Sequence, residues 1–251
     1  MVDGYRDFVS RVRSANPGLQ LSSEDGNEAF LEYFDSAISL FSCYERLTGH
    51  GRPDYEHVPL FNAIFHPCVT TFGTFATIHG IPAWDETWPA ERKWKHEEPW
   101  EKLFPDQFAV EVARGATWGI QPCVHNFLLE NARDPRFAEN YAFMVATARF
   151  WHANRPWLLF GEMQSPGRLA TATRKVSFMV RSTYSKEGDY RVVTDEALPA
   201  VLHSGWTAPD GRLAAVLANW TREPQSWRLE TCGTAAEGVI PPRSWHRADL
   251  A

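Results

Sequence analysis

The sequence predicts an α/β fold followed by an all-β region, on three observations. Over residues 1–167, apolar runs that end in polar residues alternate with segments of helical periodicity, as is typical of α/β architecture. After residue 167, short strand-like runs separated by turn residues replace this alternation. Pro209-Asp210-Gly211 lies between two of these runs and is a strong hairpin signal. We therefore expect an α/β domain over residues 1–167 and a β-sandwich domain over residues 168–251.

The expected elements follow from periodicity along the chain. Tyr5, Phe8, Val9 and Val12 are spaced as on one face of a helix, so residues 1–16 are predicted to be helical. A short strand over 19–23 and a helix over 28–47 come next. The apolar run 57–67 predicts a strand that is buried on both faces of a parallel sheet, and 69–78 predicts a helix. The remaining predictions are helices over 104–114 and 137–154 and strands over 117–125 and 155–163.

Composition and charge exclude several classes of partner. The formal net charge is −6 and no basic stripe is present, so we expect no nucleic-acid partner. No apolar run reaches the roughly 18–20 residues of a membrane span, so no membrane partner is expected. The four cysteines have no metal-ligand spacing and are expected to be buried thiols. The histidines likewise lack ligand spacing, and we expect neither a metal nor an organic cofactor.

Polar residues follow each of the four strands predicted in the α/β part. In a (β/α)8 barrel the catalytic groups lie at the carboxyl ends of the strands, so these residues are the candidate site. Their positions are Glu24, Glu28, Asn62, His66, His125 and Glu162.

Each candidate also has a purely structural interpretation. Glu24 is either a solvated loop carboxylate beside a helix cap or the general acid/base of glycosidic cleavage, which must protonate the leaving oxygen. Glu28 is either a first-turn helix residue or a substrate contact. His66 and His125 are either buried histidines with satisfied nitrogens or functional groups, and Glu162 is either structural or a substrate contact.

The chain is rich in tryptophan, with 11 in 251 residues. Indole faces can stack on sugar rings, although large aromatic side chains more often belong to a core. Residues 82–100 contain four tryptophans among charged residues. We predict that this segment forms a wall of a sugar cleft with Trp84 as its stacking platform; the alternative is a surface loop held by its own tryptophans.

Several segments together resemble a bacterial family of TIM-barrel glycoside hydrolase relatives that is labelled a domain of unknown function. Its distant relatives are the endo-α-N-acetylgalactosaminidases. The similar segments are "GYRDFVSRVRSANPGLQLSSEDGNEAFLEYFD", "VPLFNAIFHPCVTTFG", "IPAW", "WLLFGEMQSPGRL" and "VLHSGWTAPDGRLAAVLANWT". The resemblance implies an acid/base role for Glu24 and substrate contacts for His66 and Glu162. It also implies that the nucleophilic aspartate lies on a barrel strand upstream of anything in this chain.

The count of strands agrees with that implication. Four α/β strands are predicted, whereas a closed barrel needs eight. We therefore expect the C-terminal half of a (β/α)8 barrel plus a β-sandwich, in an N-terminally truncated fragment. The expected activity is retaining hydrolysis of oligo- or polysaccharides, with carbohydrate as the partner. A non-catalytic carbohydrate-binding or scaffold protein with a degenerate barrel is the alternative, and a metal-dependent barrel hydrolase is the third candidate.

Overall fold

The structure is a computed structural model of the chain. It describes residues 2–24, 26–39, 59–74, 76, 104–124, 129–180, 191–231 and 233–250. Among these residues we distinguish a first part of mixed helices and strands, within residues 2–124, and a second, β-rich C-terminal part, within residues 129–250.

The first part contains a parallel sheet of four strands in sequential order, β1-β2-β3-β4. Its elements are α1 (Val2–Ala15), β1 (Ser22–Ser23), a 3-10 turn (Glu28–Phe30), β2 (Ser36–Ile38), α2 (Leu60–Phe65), β3 (Thr70–Thr74), α3 (Gln107–Thr117) and β4 (Gln121–Val124). Every residue of α3 is buried, because this helix packs against β3 and β4 as well as against strands of the C-terminal part.

The second part begins with helices and continues with nine strands among the described residues. The helices are α4 (Leu129–Arg133), a 3-10 turn (Pro135–Phe137), α5 (Ala138–Ala153) and α6 (Arg155–Leu158). The strands are β5 (Glu162–Gln164), β6 (Arg168–Thr171), β7 (Thr173–Val180), β8 (Arg191–Pro199), β9 (Val201–Thr207), β10 (Leu213–Asn219), β11 (Gln225–Thr231), β12 (Thr234–Ile240) and β13 (Ser244–Leu250). Three sheets result, with the orders β13-β10-β9-β5, β12-β11-β6 and β7-β8.

The sheet β13-β10-β9-β5 is the middle layer of the molecule. On β10, Ala214 and Val216 pack with Trp151, Trp157 and other residues of the helices. The alternate residues Ala215 and Leu217 pack with side chains of β11 and β12 on the opposite side. Because both faces are covered, "LAAVLAN" is a nearly continuous apolar run rather than an alternating one. The sheet β13-β10-β9-β5 and the sheet β12-β11-β6 therefore pack face to face, as in a sandwich.

The expected hairpin at Pro209-Asp210-Gly211 is confirmed. Strands β9 and β10 are antiparallel neighbours with Thr207 opposite Leu213. Gly211 has a φ of +84°, a left-handed conformation that glycine adopts without steric cost.

The predicted strand over 57–67 is wrong: residues 60–65 form helix α2. The helix places Leu60 and Ile64 outward and Asn62 and His66 inward, each pair four residues apart. A short apolar run cannot distinguish a strand from a buried helix by periodicity alone.

The predicted helix over 69–78 is also wrong, because residues 70–74 form β3. The β-branched and aromatic residues of "VTTF" favour a strand.

Two further predictions need correction. In place of a helix over 28–47, the described residues form one 3-10 turn, a bend and strand β2. In place of a strand over 155–163, residues 155–158 form helix α6, with Pro156 in its first turn, and the strand begins only at Glu162. Proline is well tolerated at a helix start because its missing N–H would have no intrahelical partner there.

The remaining element predictions agree with the structure. Helices α1, α3 and α5 fall where helical periodicity predicts them, and β1 and β4 lie within their predicted strands. The coarse fold class, a mixture of helices and strands followed by a β-rich region, is therefore confirmed. In the described part of the chain the parallel sheet has four strands and does not close into a barrel. Strand β5 precedes the predicted domain boundary and pairs with β9 beyond it; the boundary itself stays a prediction.

The expectation of buried thiols is wrong for two cysteines. Cys68, just before β3, and Cys123, in β4, are exposed. Cys43 and Cys232 lie outside the described residues.

Candidate functional site

The two faces of the parallel sheet differ in burial. One face carries the buried side chains Ala37, Ser39, Val69 and Thr71. The other carries the half-buried side chains Ser36, Ile38, Thr70 and Phe72. The buried face meets helix α2, whose Asn62 bonds to Thr71. We call the other side the open face.

Register places side chains of the open face in rows. Ile38 pairs with Phe72, and Phe72 pairs with Gln121, so these three residues lie side by side on neighbouring strands. One step toward the amino ends, Ser22 pairs with Ser36 and Ser36 with Thr70.

Glu24 follows the carboxyl end of β1 and is exposed. Ser23 pairs with Ala37, so the next step of this ladder would set Glu24 opposite Ile38. Because strand side chains alternate, Glu24 shares its face with the exposed Ser22 rather than with Ser23. Continued alternation would therefore place Glu24 on the open face, the side away from the buried Ala37.

Glu28 lies in the 3-10 turn that follows and is also exposed. Asn27 caps this turn, with its side-chain oxygen accepting a hydrogen bond from the backbone N–H of Ala29 at 2.9 Å. A first-turn carboxylate beside such a cap is favourably placed toward the helix N-terminus.

A small cleft, with a volume of about 10 Å³, lies behind β1 and β2, on the packed side of the sheet. Its lining residues are Ser23, Gly26, Asn27, Phe30, Leu31, Phe34, Ala37 and Val69. Glu24 does not line it, and its volume is far below the roughly 300–1,000 Å³ of typical ligand pockets. The open face is therefore the better candidate surface.

The carboxyl edge of the sheet contains a bulge between β3 and β4. The two strands pair at Phe72 with Gln121 and at Thr74 with Val124, so Pro122 and Cys123 stand opposite Gly73 alone. Gly73 has a φ of +81°, and its carbonyl oxygen accepts a hydrogen bond from the Ser39 hydroxyl. Bulges are over-represented beside active sites, where they redirect side chains.

Asn62 is fully buried and has structural partners. Its amide nitrogen donates to the Thr71 hydroxyl oxygen at 3.0 Å and to the backbone carbonyl of Trp118 at 2.9 Å. These bonds tie α2 to β3 and to the turn before β4. The geometry of Asn62 favours a structural role over a substrate contact.

His66 is 5% exposed and lies where α2 meets the C-terminal sheet. Its Nδ1 and Nε2 atoms are each 3.0 Å from a backbone carbonyl oxygen, those of Gly161 and Leu158. Its ring is tilted against that of Trp206, with centroids 4.7 Å apart. Burial lowers the pKa of His66 despite the nearby carbonyls. These contacts give His66 a structural role as a link between elements.

Glu162 is the first residue of β5; it is exposed and pairs with Thr207 of β9. It therefore belongs to the antiparallel sheet and does not end a strand of the parallel one. Through Gly161, the residue before it, this position adjoins His66.

The predicted site residues thus separate into two groups. Glu24 and Glu28 lie at the carboxyl end of β1. Asn62 and His66 precede β3 and so lie toward its amino end, together with Glu162. Trp84 and His125 lie outside the described residues. Because the strands are parallel, the two groups lie at opposite edges of the sheet.

Sequence reasoning overlooked Phe72 and the row it forms with Gln121 on the open face. The β-branched run "VTT" before Phe72 was the available signal, since it favours a strand and hence alternating faces.

No group of three or more histidine, cysteine, aspartate or glutamate side chains in the described part of the chain is arranged to hold a metal ion. None of its helices combines the length and apolar character needed to cross a membrane.

Comparison with known proteins gives one match. A family model described as a domain of unknown function (DUF6259) matches residues 1–76, the part that includes α1 and β1 to β3. No curated protein and no solved structure matches the chain. Similarity to a domain of unknown function is therefore found over residues 1–76, while similarity to glycoside hydrolases stays a prediction.

Proposed function

We propose that this chain carries the acid/base half of a retaining glycoside hydrolase, built as the C-terminal half of a (β/α)8 barrel with a β-sandwich behind it. The parallel sheet with sequential strand order supports the barrel, because consecutive barrel strands are parallel neighbours. The resemblance of several segments to TIM-barrel glycoside hydrolase relatives supports the chemistry.

One observation carries the proposal: Glu24 is an exposed carboxyl group at the carboxyl end of the first strand of this sheet. Ligands of α/β sheets bind outside the carboxyl ends of the strands. Glu24 gives its proton to the leaving glycosidic oxygen while an aspartate from an upstream strand attacks the anomeric carbon. Glu24 then takes a proton from the water that releases the sugar.

A non-catalytic carbohydrate-binding protein is the second candidate. The structural contacts of His66 favour it, because the resemblance to glycoside hydrolase relatives implies a substrate contact for this residue. It differs from the first candidate in requiring sugar binding without cleavage.

A panel of 4-nitrophenyl glycosides tests the choice in the full-length protein. We expect cleavage of at least one glycoside by the wild type. Glu24→Gln should lower the steady-state kcat at least a hundredfold, because the base that activates water for release of the bound sugar is lost, and Glu28→Gln should change it less than threefold. Turnover by Glu24→Gln at the wild-type rate would remove Glu24 from the mechanism. Binding without cleavage would favour the second candidate.

A further inference from the structure

We propose that Phe72 is a sugar-stacking platform and that Gln121 is the hydrogen-bonding contact beside it. This inference rests on the proposed function, because it assigns two residues to the same carbohydrate site. Phe72 was not among the sequence-based candidates for substrate contact.

The placement of Phe72 follows from register and burial. Thr71 is buried and bonds to Asn62 on the packed side of the sheet. Side chains alternate along a strand, so Phe72 lies on the open face. It is half-buried, whereas the phenylalanines of the core are almost fully buried, Phe108 and Phe143 among them. A large ring on the open face retains a surface that a ligand can cover.

Gln121 completes the surface on the next strand. It pairs directly with Phe72 and is exposed. Its side-chain amide offers two N–H donors and a carbonyl acceptor. One row away, the hydroxyl-bearing residues Ser22, Ser36 and Thr70 lie side by side.

This combination fits one class of ligand, a pyranose ring. Such a ring has an apolar C–H face, which packs on an aromatic side chain. Its rim of hydroxyl groups both donates and accepts hydrogen bonds, which matches an amide and a row of hydroxyls. A purely apolar ligand would leave these polar groups without partners, at a cost in binding free energy.

The distance between Phe72 and Glu24 indicates which part of a substrate Phe72 would contact. Glu24 follows β1 and Phe72 lies two strands away, which corresponds to about 10 Å at the usual strand separation. Phe72 therefore contacts a part of the substrate remote from the leaving oxygen. Losing it should weaken binding of substrate and transition state alike, raising KM and leaving kcat nearly unchanged.

Saturation-transfer NMR of the 4-nitrophenyl glycoside panel tests binding without requiring cleavage. We expect a bound glycoside to receive saturation at its sugar-ring protons. Phe72→Ala should weaken its affinity about tenfold, and Phe72→Tyr, which keeps the ring, should preserve it. Phe160→Ala is the matched control, because Phe160 is 60% exposed and lies outside the parallel sheet. Unchanged affinity in Phe72→Ala, or no binding by the wild type, would overturn the proposal.

Two native thiols provide a second readout that needs no variant. Cys123 is exposed two residues beyond Gln121, while Cys68 is exposed just before the amino end of β3. A bound glycoside should slow N-ethylmaleimide labelling of Cys123 at least fivefold and leave Cys68 unaffected, as followed by peptide mass spectrometry. Equal protection of both thiols, or of neither, would contradict the proposed position.

The two proposals fail separately. Binding that depends on Phe72 in a protein that cleaves no glycoside would support this inference and refute hydrolysis. Cleavage whose KM is unchanged by Phe72→Ala would support hydrolysis and refute this inference.

Discussion

Gly119 lies beneath two aromatic rings at the junction between the parallel sheet and the C-terminal sheet. A Cβ atom there would clash with Nε2 of His66 and come within 2.7 Å of the Trp206 ring. The residue also has a φ of +79°. Gly119 therefore combines two separate requirements for glycine, conformation and space.

Gly119→Ala is expected to lower the free energy of unfolding by roughly 2–5 kcal/mol, because the left-handed conformation and the overpacking both contribute. Gly211→Ala is the matched control: Gly211 has a φ of +84° but nothing within 4 Å of its Cβ position, so only about 1–2 kcal/mol of backbone strain is expected. Urea unfolding measures both. Equal losses in the two variants would show that the rings have room to move.

His203 makes the stability depend on pH. Burial lowers its pKa to about 4, and the charge of Arg114 adds to this effect. In the unfolded chain the pKa is about 6.5, so the unfolded state binds more protons between these values. The stabilising contribution is present above pH 6.5 and is lost as the pH falls toward 4.

Between pH 7 and 4.5, His203 should account for a loss of roughly 2–3 kcal/mol at most. His203→Gln should make the decline in urea midpoint clearly shallower. His152→Gln, at an exposed helix position, should leave it unchanged. An identical decline in His203→Gln and the wild type would assign the pH dependence to other groups.

At the scale of secondary-structure elements, an ion pair between Arg13 and Asp35 connects helix α1 to the parallel sheet. Arg13 contacts both oxygens of Asp35, at 2.6 and 3.0 Å, and the same carboxylate accepts the backbone N–H of Leu21. The hydrogen bond from Arg13 lowers the pKa of Asp35 to about 2. The pair therefore joins α1, the start of β1 and the start of β2 at the amino edge of the sheet.

Asp35→Ala is expected to weaken hydrogen-exchange protection throughout α1, because it removes both the ion pair and the acceptor for Leu21. Asp7→Ala is the control, since Asp7 forms only a surface pair with Arg11 in which both side chains are about 70% exposed; such pairs contribute little. Exchange rates in α1 that are equally affected by the two changes would show that Asp35 has no special part in docking the helix.

The sequence predicts some elements well for identifiable reasons. Helices α1, α3 and α5 have charged residues in a first or last turn, and α1 and α3 also have clear helical periodicity. The hairpin between β9 and β10 has a turn signal of its own. Around α2 and β3 the segments are short and apolar, so tertiary packing decides between helix and strand.

Prediction of the candidate site from sequence was limited in the same way, because it depended on which segments were correctly predicted as strands. Glu24 could be placed from the alternation of residues 19–24, since a strand was predicted there and β1 lies in it. The row of Ile38 and Phe72 on the open face could not be predicted from sequence, because both residues fell in segments that were predicted to be helical. Nor does local sequence reveal that Asn62 and His66 bond to groups more than 50 residues away.

At the scale of the whole molecule, Arg243 connects the β-rich part to two helices. Its guanidinium contacts Asp106 before α3 and Glu139 in the first turn of α5, at 3.0 and 3.2 Å. It also donates to the carbonyl of Trp220 and lies over the Phe143 ring. Its side chain is only 8% exposed, whereas Asp106 and Glu139 are partly exposed and also contact Arg222. Loss of Arg243 would therefore chiefly affect the buried carbonyl of Trp220.

Arg243→Met is expected to lower the free energy of unfolding by roughly 1–3 kcal/mol, because the buried carbonyl of Trp220 loses its charged donor. Arg228→Met, in an exposed pair with Glu230, should cost about 0.5 kcal/mol or less. Chemical denaturation measures both. A loss for Arg243→Met as small as that for Arg228→Met would show that the two parts of the molecule do not depend on this contact.

The dependence of rate on the leaving group tests the central claim, that Glu24 donates the proton in glycosidic cleavage. The measurement compares the wild type with Glu24→Gln on aryl glycosides with good leaving groups and on unactivated oligosaccharides. The first step is expected to survive for activated aryl glycosides, which need little protonation, and cleavage of oligosaccharides is expected to be abolished. Equal loss on both kinds of substrate, or wild-type rates on both, would contradict it.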